Sequence, residues 1–263
     1  MIITDGMQRL VDETDSVYEN ASMRSHRKGH IHRTRDGAVW YVDHLYGEER
    51  EQQLAYVAGQ LHDIVRPRTD EKCHAQLSSE KAYNILRDYS EFTEKEKVEI
   101  CEAVKDHRKR PLEWKSPLHV SVYLADKTLE HMGAYLDGRV SYAAGANDLE
   151  ELDGMEPLEW LKEYYSMASK KFLEAKFPSF CHNLVSYQIN WNNIFLKAMK
   201  DEQDWCCDMI TQIAESAQNG MDMDEALTSF QPNDTLRQLD WSMEMKEYID
   251  GSLFGTLRRL LKR

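Results

Sequence analysis

The chain has 263 residues, 41% hydrophobic and 30% charged, which allows a sizeable core beneath a well-solvated surface and excludes a disordered chain. Twelve Gly and 6 Pro exclude a collagen-like or linker-like chain. The net charge of −13, from 33 Lys and Arg against 46 Asp and Glu, excludes general coating of nucleic acid, which depends on basic surface.

No apolar run reaches the roughly 20 residues that span a bilayer. The opening MIITDGMQRLVDETD turns acidic without the apolar stretch of a secretory leader. Five cysteines with no CxxC pair give no disulfide framework, so a reduced, cytoplasmic protein is expected. Apolar residues recur at three- and four-residue steps and strand-like alternation is scarce, which predicts an all-α chain. Helices are expected over 7–28, 34–46, 48–65, 74–89, 94–108, 117–136, 157–175, 180–202, 204–218, 223–230 and 234–261. The best-marked start is Thr93-Glu94-Lys95-Glu96, where Thr93 and Glu96 can satisfy free backbone N–H groups reciprocally. Stops are marked at Gly47, Pro67 and Pro111. The segment 137–156, rich in Gly, Asp and Asn, reads as a loop joining a main domain over 1–145 to a helical C-terminal part over 146–263.

Basic residues are clustered despite the acidic balance. Arg24, Arg27, Lys28, Arg33 and Arg35 stand together, and Lys105, Arg108, Lys109 and Arg110 form a second group. Positive potential inside a negative protein suits a small anion, although either group could equally be a solvated face.

Ten histidines are present. His107 shares a helical face with Ile100 and Val104, and Asp126 shares one with Val122 and Leu129. His62 and Asp63 interrupt the otherwise apolar LAYVAGQLHDIV. A carboxylate on an apolar stripe is costly unless it is paired or bound to metal. Imidazoles with carboxylates and no cysteine suit Fe, Mn, Zn and similar divalent ions. Taken singly, each residue also fits a hydrogen-bonded core position or an ion pair.

The ordered series carries more. His30 in GHIHRT, His62-Asp63 in LHDIVRP, His74 in CHAQLSSEKAYNIL, His107 in VKDHRKRP and Asp126 in YLADKTLEHMGA resemble the HD superfamily of metal-dependent phosphohydrolases. His30 and Arg33 match the spacing of its first motif, and the likeness covers roughly 20–145, fading by about 200. The resemblance implies an HD-domain helical bundle with additional C-terminal helices. It implies that His30, His62, Asp63 and Asp126 bind a first metal. His74 and His107 would complete a second site or contact phosphate oxygens. One or two divalent ions (Fe, Mn, Co, Ni, Zn or Mg) are the implied cofactor. The implied activity is hydrolysis of a nucleotide or related phosphoester, a small anionic phosphate-containing substrate, with Asp63 as a bridging carboxylate.

Fixed cations are needed for charge developing on phosphoryl oxygens. Lys127 follows Asp126 directly, and Arg66 would lie on the helical face of His62; Arg33 and Arg108 stand behind them. Lys127 is thus a catalytic candidate beside Asp63, and Arg33, Arg66 and Arg108 are substrate-binding candidates. The sequence departs from the family at Val65, where many members carry Gly. His32 competes with His30, and His26 precedes it by about one turn. Asp106 precedes His107 where the cyclic-dinucleotide-cleaving branch carries two adjacent His, which argues against that branch. Two other functions share the pattern: an HD-fold di-iron oxygenase using the same ligands, and a non-catalytic nucleotide-binding protein.

His44, His119, His131 and His182 are read as ordinary surface or core residues. Tyr135 and Tyr142 suit the core or stacking on a nucleobase. At the end, SLFGTLRRLLKR places Leu253, Leu257, Leu260 and Leu261 on one helical face with cations opposite. That helix is expected to pack on the chain's own helices or on a second copy, giving a homo-oligomer, in preference to a membrane surface.

Overall fold

The computed structural model describes residues 1–66, 73–109, 112–131, 133–148, 154–164, 177–201, 204–238 and 241–249, and among them it is helical with no strand. The all-α expectation holds. The chain divides into two compact units, Met1–Glu130 and His131–Arg263.

In the first unit four helices start where a side chain takes up free N–H groups, and the two that begin at Lys28 and His74 start without one. Thr4 caps α1 (Asp5–Glu19), its Oγ1 accepting from Met7 N at 3.1 Å. A 3-10 turn (Arg24–His26) leads into α2 (Lys28–His44). Glu48 and Glu51 form a capping box at α3 (Glu49–Leu61). After α4 (His74–Leu86), α5 (Glu94–Asp106) opens on the expected box, with Thr93 N donating to Glu96 Oε2 at 2.8 Å and Glu96 N to Thr93 Oγ1 at 3.3 Å. Ser116 caps α6 (Pro117–Ala125), and Pro117 sits at the first position, where its missing N–H is not needed. One π-helical turn, Asp126–Glu130, follows.

Helix α2 lies against α3 and α6, and α5 lies against α3, α4 and α6. The α2–α3 approach depends on Gly59, since a Cβ there would stand 2.5 Å from Arg35 Cα, a backbone atom that cannot rotate away. Gln60, fully buried, fastens α1 to α3 by donating to Thr14 Oγ1 at 2.9 Å and Asp15 Oδ1 at 3.0 Å.

The second unit is built round α7 (Gly133–Ala146), buried on nearly every side, with further helices at His182–Lys200, Asp204–Gln218, Met223–Ser229, Asp234–Gln238 and Trp241–Ile249. Residues 157–164 are also helical. Tyr135 and Tyr142 are enclosed in this core, and Tyr142 Oη donates to Met221 O at 2.7 Å, which gives both a packing role and not that of an open stacking platform.

Several helix limits differ from expectation. Residues 137–146 are helix, not loop, because Gly145 serves close packing: a Cβ there would meet Ala214 O at 2.2 Å. The expected helix 117–136 is broken by the π turn and restarts at Gly133, whose φ is 71°. Helices α3 and α5 stop at Leu61 and Asp106, short of 65 and 108. The segment 252–263 and residues 165–175 of the expected helix 157–175 lie outside the described residues. Among the described residues no helix is long and apolar enough to cross a membrane.

Two predictions test this packing. Gly59→Ala adds helix propensity of about 1 kcal/mol, but forced overlap with backbone costs about 1–3 kcal/mol. A lowered midpoint in urea denaturation is expected, and an unchanged or raised one would contradict the close approach. The second concerns Glu96, which Arg50 holds by two bonds, Nε to Oε1 at 2.6 Å and Nη2 to Oε2 at 3.1 Å. The Arg50 guanidinium is the chief cause, with the Thr93 N–H adding to it, and the carboxyl falls from 4.5 to about 2. Its stabilisation is therefore complete above about pH 4.5 and lost as pH falls toward 2. Glu96→Gln should flatten the fall of Tm over that window, as read by scanning calorimetry.

Candidate metal centre

Three helices end at one cluster of side chains. His62, His107 and Asp126 are the C-cap residues of α3, α5 and α6. His74 is the first residue of α4, and His30 lies in the first turn of α2. Asp63 stands between them. Its Oδ2 is 3.7 Å from His30 Nε2 and 3.8 Å from His62 Nε2, and its Oδ1 is 3.3 Å from His74 Nε2 and 3.6 Å from His107 Nε2. His30, His62 and Asp126 each offer a donor atom within 4.8 Å of the others, as do Asp63, His74 and His107. All six expected ligands are thus brought together, each no more than 5% exposed.

Hydrogen bonds on the far side of three rings fix which nitrogen faces inward. His62 Nδ1 donates to Gly59 O at 2.7 Å and His107 Nδ1 to Val104 O at 2.6 Å, the same motif at two helix ends. His30 Nδ1 bonds Glu130 Oε2 at 3.1 Å. Carbonyls and carboxylates only accept, so each Nδ1 carries the proton and each Nε2 presents a bare lone pair to the cluster. The His30 and His62 Nε2 atoms stand 3.2 Å apart. Burial lowers the pKa of the His62 imidazole, opposed by Asp63, and burial lowers that of His107 well below 6.5. Both rings are held neutral, the form that binds metal. Burial alone would raise the Asp63 carboxyl, but with the positive charge of Arg66 nearby it is held well below 3.8.

This donor set fits a divalent cation. Asp63 Oδ1 is buried without a hydrogen bond, and facing lone pairs on two imidazoles repel one another unless a positive charge lies between them.

The expected cations divide into two groups. Lys127 Nζ bonds Asp126 Oδ2, and Arg33 Nε bonds Glu130 Oε1 at 2.9 Å, behind His30. Arg66 and Arg108 meet at His74: Arg108 Nη1 is 3.0 Å from its Nδ1, and Arg66 Nη1 is 2.6 Å from its Nε2. The expected shared helical face of Arg66 and His62 does not exist, because α3 ends at Leu61. The chain turns back there, held by Val65 N donating to Ser78 Oγ at 3.1 Å and Ser78 Oγ donating to Val65 O at 3.0 Å. Of the competing histidines, His32 bonds Asp15 Oδ1 at 2.9 Å, away from the cluster, whereas His26 lies beside His30 at 5.2 Å between ring centroids. His44 lies on Trp40 and buried His119 on Asp106, consistent with ordinary roles.

Glu130 escaped the sequence reading. It is fully buried and bonds both His30 and Arg33. Its place four residues after Asp126 is visible in the sequence, but the two partners that give it a role are not.

Residues 27–130 match the HD domain family. Among solved structures, that of Bacillus subtilis YpgQ in complex with ADP aligns with a TM-score of 0.46 and 14% sequence identity, over 74% of this chain and 99% of that one. No curated protein gives a significant match. The geometry predicts that His30→Ala loses metal affinity while His32→Ala retains it, measured by calorimetry with Mn(II) or Co(II). The reverse order would move the first ligand by two residues.

Proposed function

We propose that this chain, whose residues 27–130 belong to the HD-domain family, is a metal-dependent phosphohydrolase acting on a nucleotide or related phosphoester. The observation that carries the reading is the placement of Asp63, whose two oxygens each face a different pair of imidazoles. That is the arrangement required of a carboxylate shared between two sites.

His30, His62, Asp63 and Asp126 would hold a first ion, and Asp63, His74 and His107 a second. A bound divalent ion supplies Lewis acidity, lowering the pKa of water toward neutrality and polarising phosphoryl oxygens. The chain's own residues do the rest. The bare Nε2 atoms of His30, His62 and His107 keep the centre basic without adding charge. Lys127 neutralises Asp126, so the net negative charge that an anionic substrate must approach is smaller.

Arg66 and Arg108 supply the anion-directed charge. Arg66 lies against an imidazole, and its Nε is buried without a hydrogen bond. A guanidinium placed this way gains a charge-assisted, two-pronged bond when a phosphate arrives. Burial of the cluster excludes bulk water and strengthens each of these interactions.

The test is a screen of phosphomonoesters and nucleotides with Mn(II), Fe(II), Co(II), Ni(II) and Mg(II), joined to metal analysis of aerobically and anaerobically purified protein. Phosphate release that depends on metal supports the reading. Oxygen consumption without phosphate release would transfer the chain to the di-iron oxygenases that share these ligands. Arg66→Ala is expected to lower kcat/KM by about tenfold or more while metal affinity holds, since a charge-assisted contact is worth about 1.5–3 kcal/mol. Unchanged kinetics would return Arg66 to a structural role.

A further inference from the structure

We infer that Glu130 is the positioning residue that sets which nitrogen of His30 faces the metal centre, and that Arg33 fixes the carboxylate for this task. The inference rests on reading the cluster as a metal site and goes beyond the six expected ligands. His62 and His107 each have a last-turn backbone carbonyl to hold Nδ1–H, because each caps the C-terminus of its helix. His30 stands in the first turn of α2, where the helix offers no free terminal carbonyl. A side chain must do the same work, and Glu130 does it with Oε2 3.1 Å from Nδ1.

The other oxygen has a second task. Oε1 accepts from Arg33 Nε at 2.9 Å, so the carboxylate is clamped between two donors and is wholly buried. The π turn joins this clamp to the centre, since it begins with Asp126 and ends with Glu130. Thr128, midway, bonds Leu124 O at 2.6 Å and pairs with Tyr41 Oη, tying the turn to α2, the helix that carries His30. π-helical turns of this kind are frequent at functional sites.

The clamp requires an acceptor at both oxygens, which a glutamine cannot provide. In Glu130→Gln the single amide oxygen is drawn to the charged Arg33, leaving the NH2 to face His30. His30 then accepts at Nδ1 and carries its proton on Nε2, the wrong nitrogen for a ligand. Removing the competitor reverses this. In the double variant Arg33→Met with Glu130→Gln, the amide oxygen is free to turn back to His30 and restore the ligand.

The experiment is calorimetric titration of Co(II) into metal-stripped full-length protein, with helix content and Tm recorded for each variant. Glu130→Gln is expected to weaken binding by about 10–100-fold, the usual cost of losing such a supporting group. The double variant is expected to regain most of that loss. Parent-like affinity in Glu130→Gln overturns the inference, as does equal weakness in the single and double variants, which is what a merely structural role gives. If the single variant does not fold, the double variant decides: folding with parent-like affinity supports the clamp, and failure of either overturns it. Absence of Co(II) binding in the parent is a different failure, sinking the metal reading itself and the inference with it.

Discussion

An ionised carboxylate in a dry helical interior is the constraint on which the first unit turns. Moving such an ion out of water costs several kcal/mol even after relaxation. Asp63 bears that cost while leaving one oxygen without a hydrogen bond. Helix dipoles give it little relief, because the N-termini of α2 and α4 that reach the cluster are offset by the C-termini of α3 and α5 that end there. Asp126 adds a second carboxylate, matched locally by Lys127. Neutral imidazoles supply no charge of their own. Arg66 and Arg108 stand on the His74 side of the cluster, yet no donor reaches Asp63 Oδ1, and a bound cation is the most direct way to satisfy that oxygen.

The helix boundaries follow from the same need. A histidine inside a helix spends its ring on lateral packing, whereas one at the C-cap can return Nδ1–H to a carbonyl three residues back and aim Nε2 beyond the helix end. α3 and α5 use this device identically. Gly59 serves it twice: its missing Cβ admits Arg35 backbone, and its carbonyl receives His62. The turn after α3 is then closed by one hydroxyl, Ser78, which satisfies both the N–H and the C=O of Val65. Val65 sits in this turn without a positive φ, because the turn is held from α4.

The order and identity of the six cluster residues were legible in the sequence because imidazoles and carboxylates recur there at fixed places on apolar stretches. Helix ends were not. The apolar stripe that predicts α5 continues in register through His107, so periodicity alone cannot see that the helix stops at Asp106 to free its last carbonyls. Gly138 and Gly145 misled in the opposite sense. Glycine in a polar segment marks a loop by composition, yet here the residues lie in a buried helix that other helices approach closely. Glu130 was missed for a third reason. Its role appears only when two partners a hundred residues back in the chain, His30 and Arg33, are brought to it by folding.

The two halves of the cluster differ chemically. On the His30 side, ring orientation is set by acceptors, so lone pairs point inward and the half is built for a cation. On the His74 side, orientation is set by donors. Arg108 and Arg66 each bring a donor to the His74 ring, one at Nδ1 and one at Nε2, and a neutral imidazole can accept from only one of them. Two guanidiniums crowded on one ring make this the half suited to an anion, which would take up the donor the ring cannot accept.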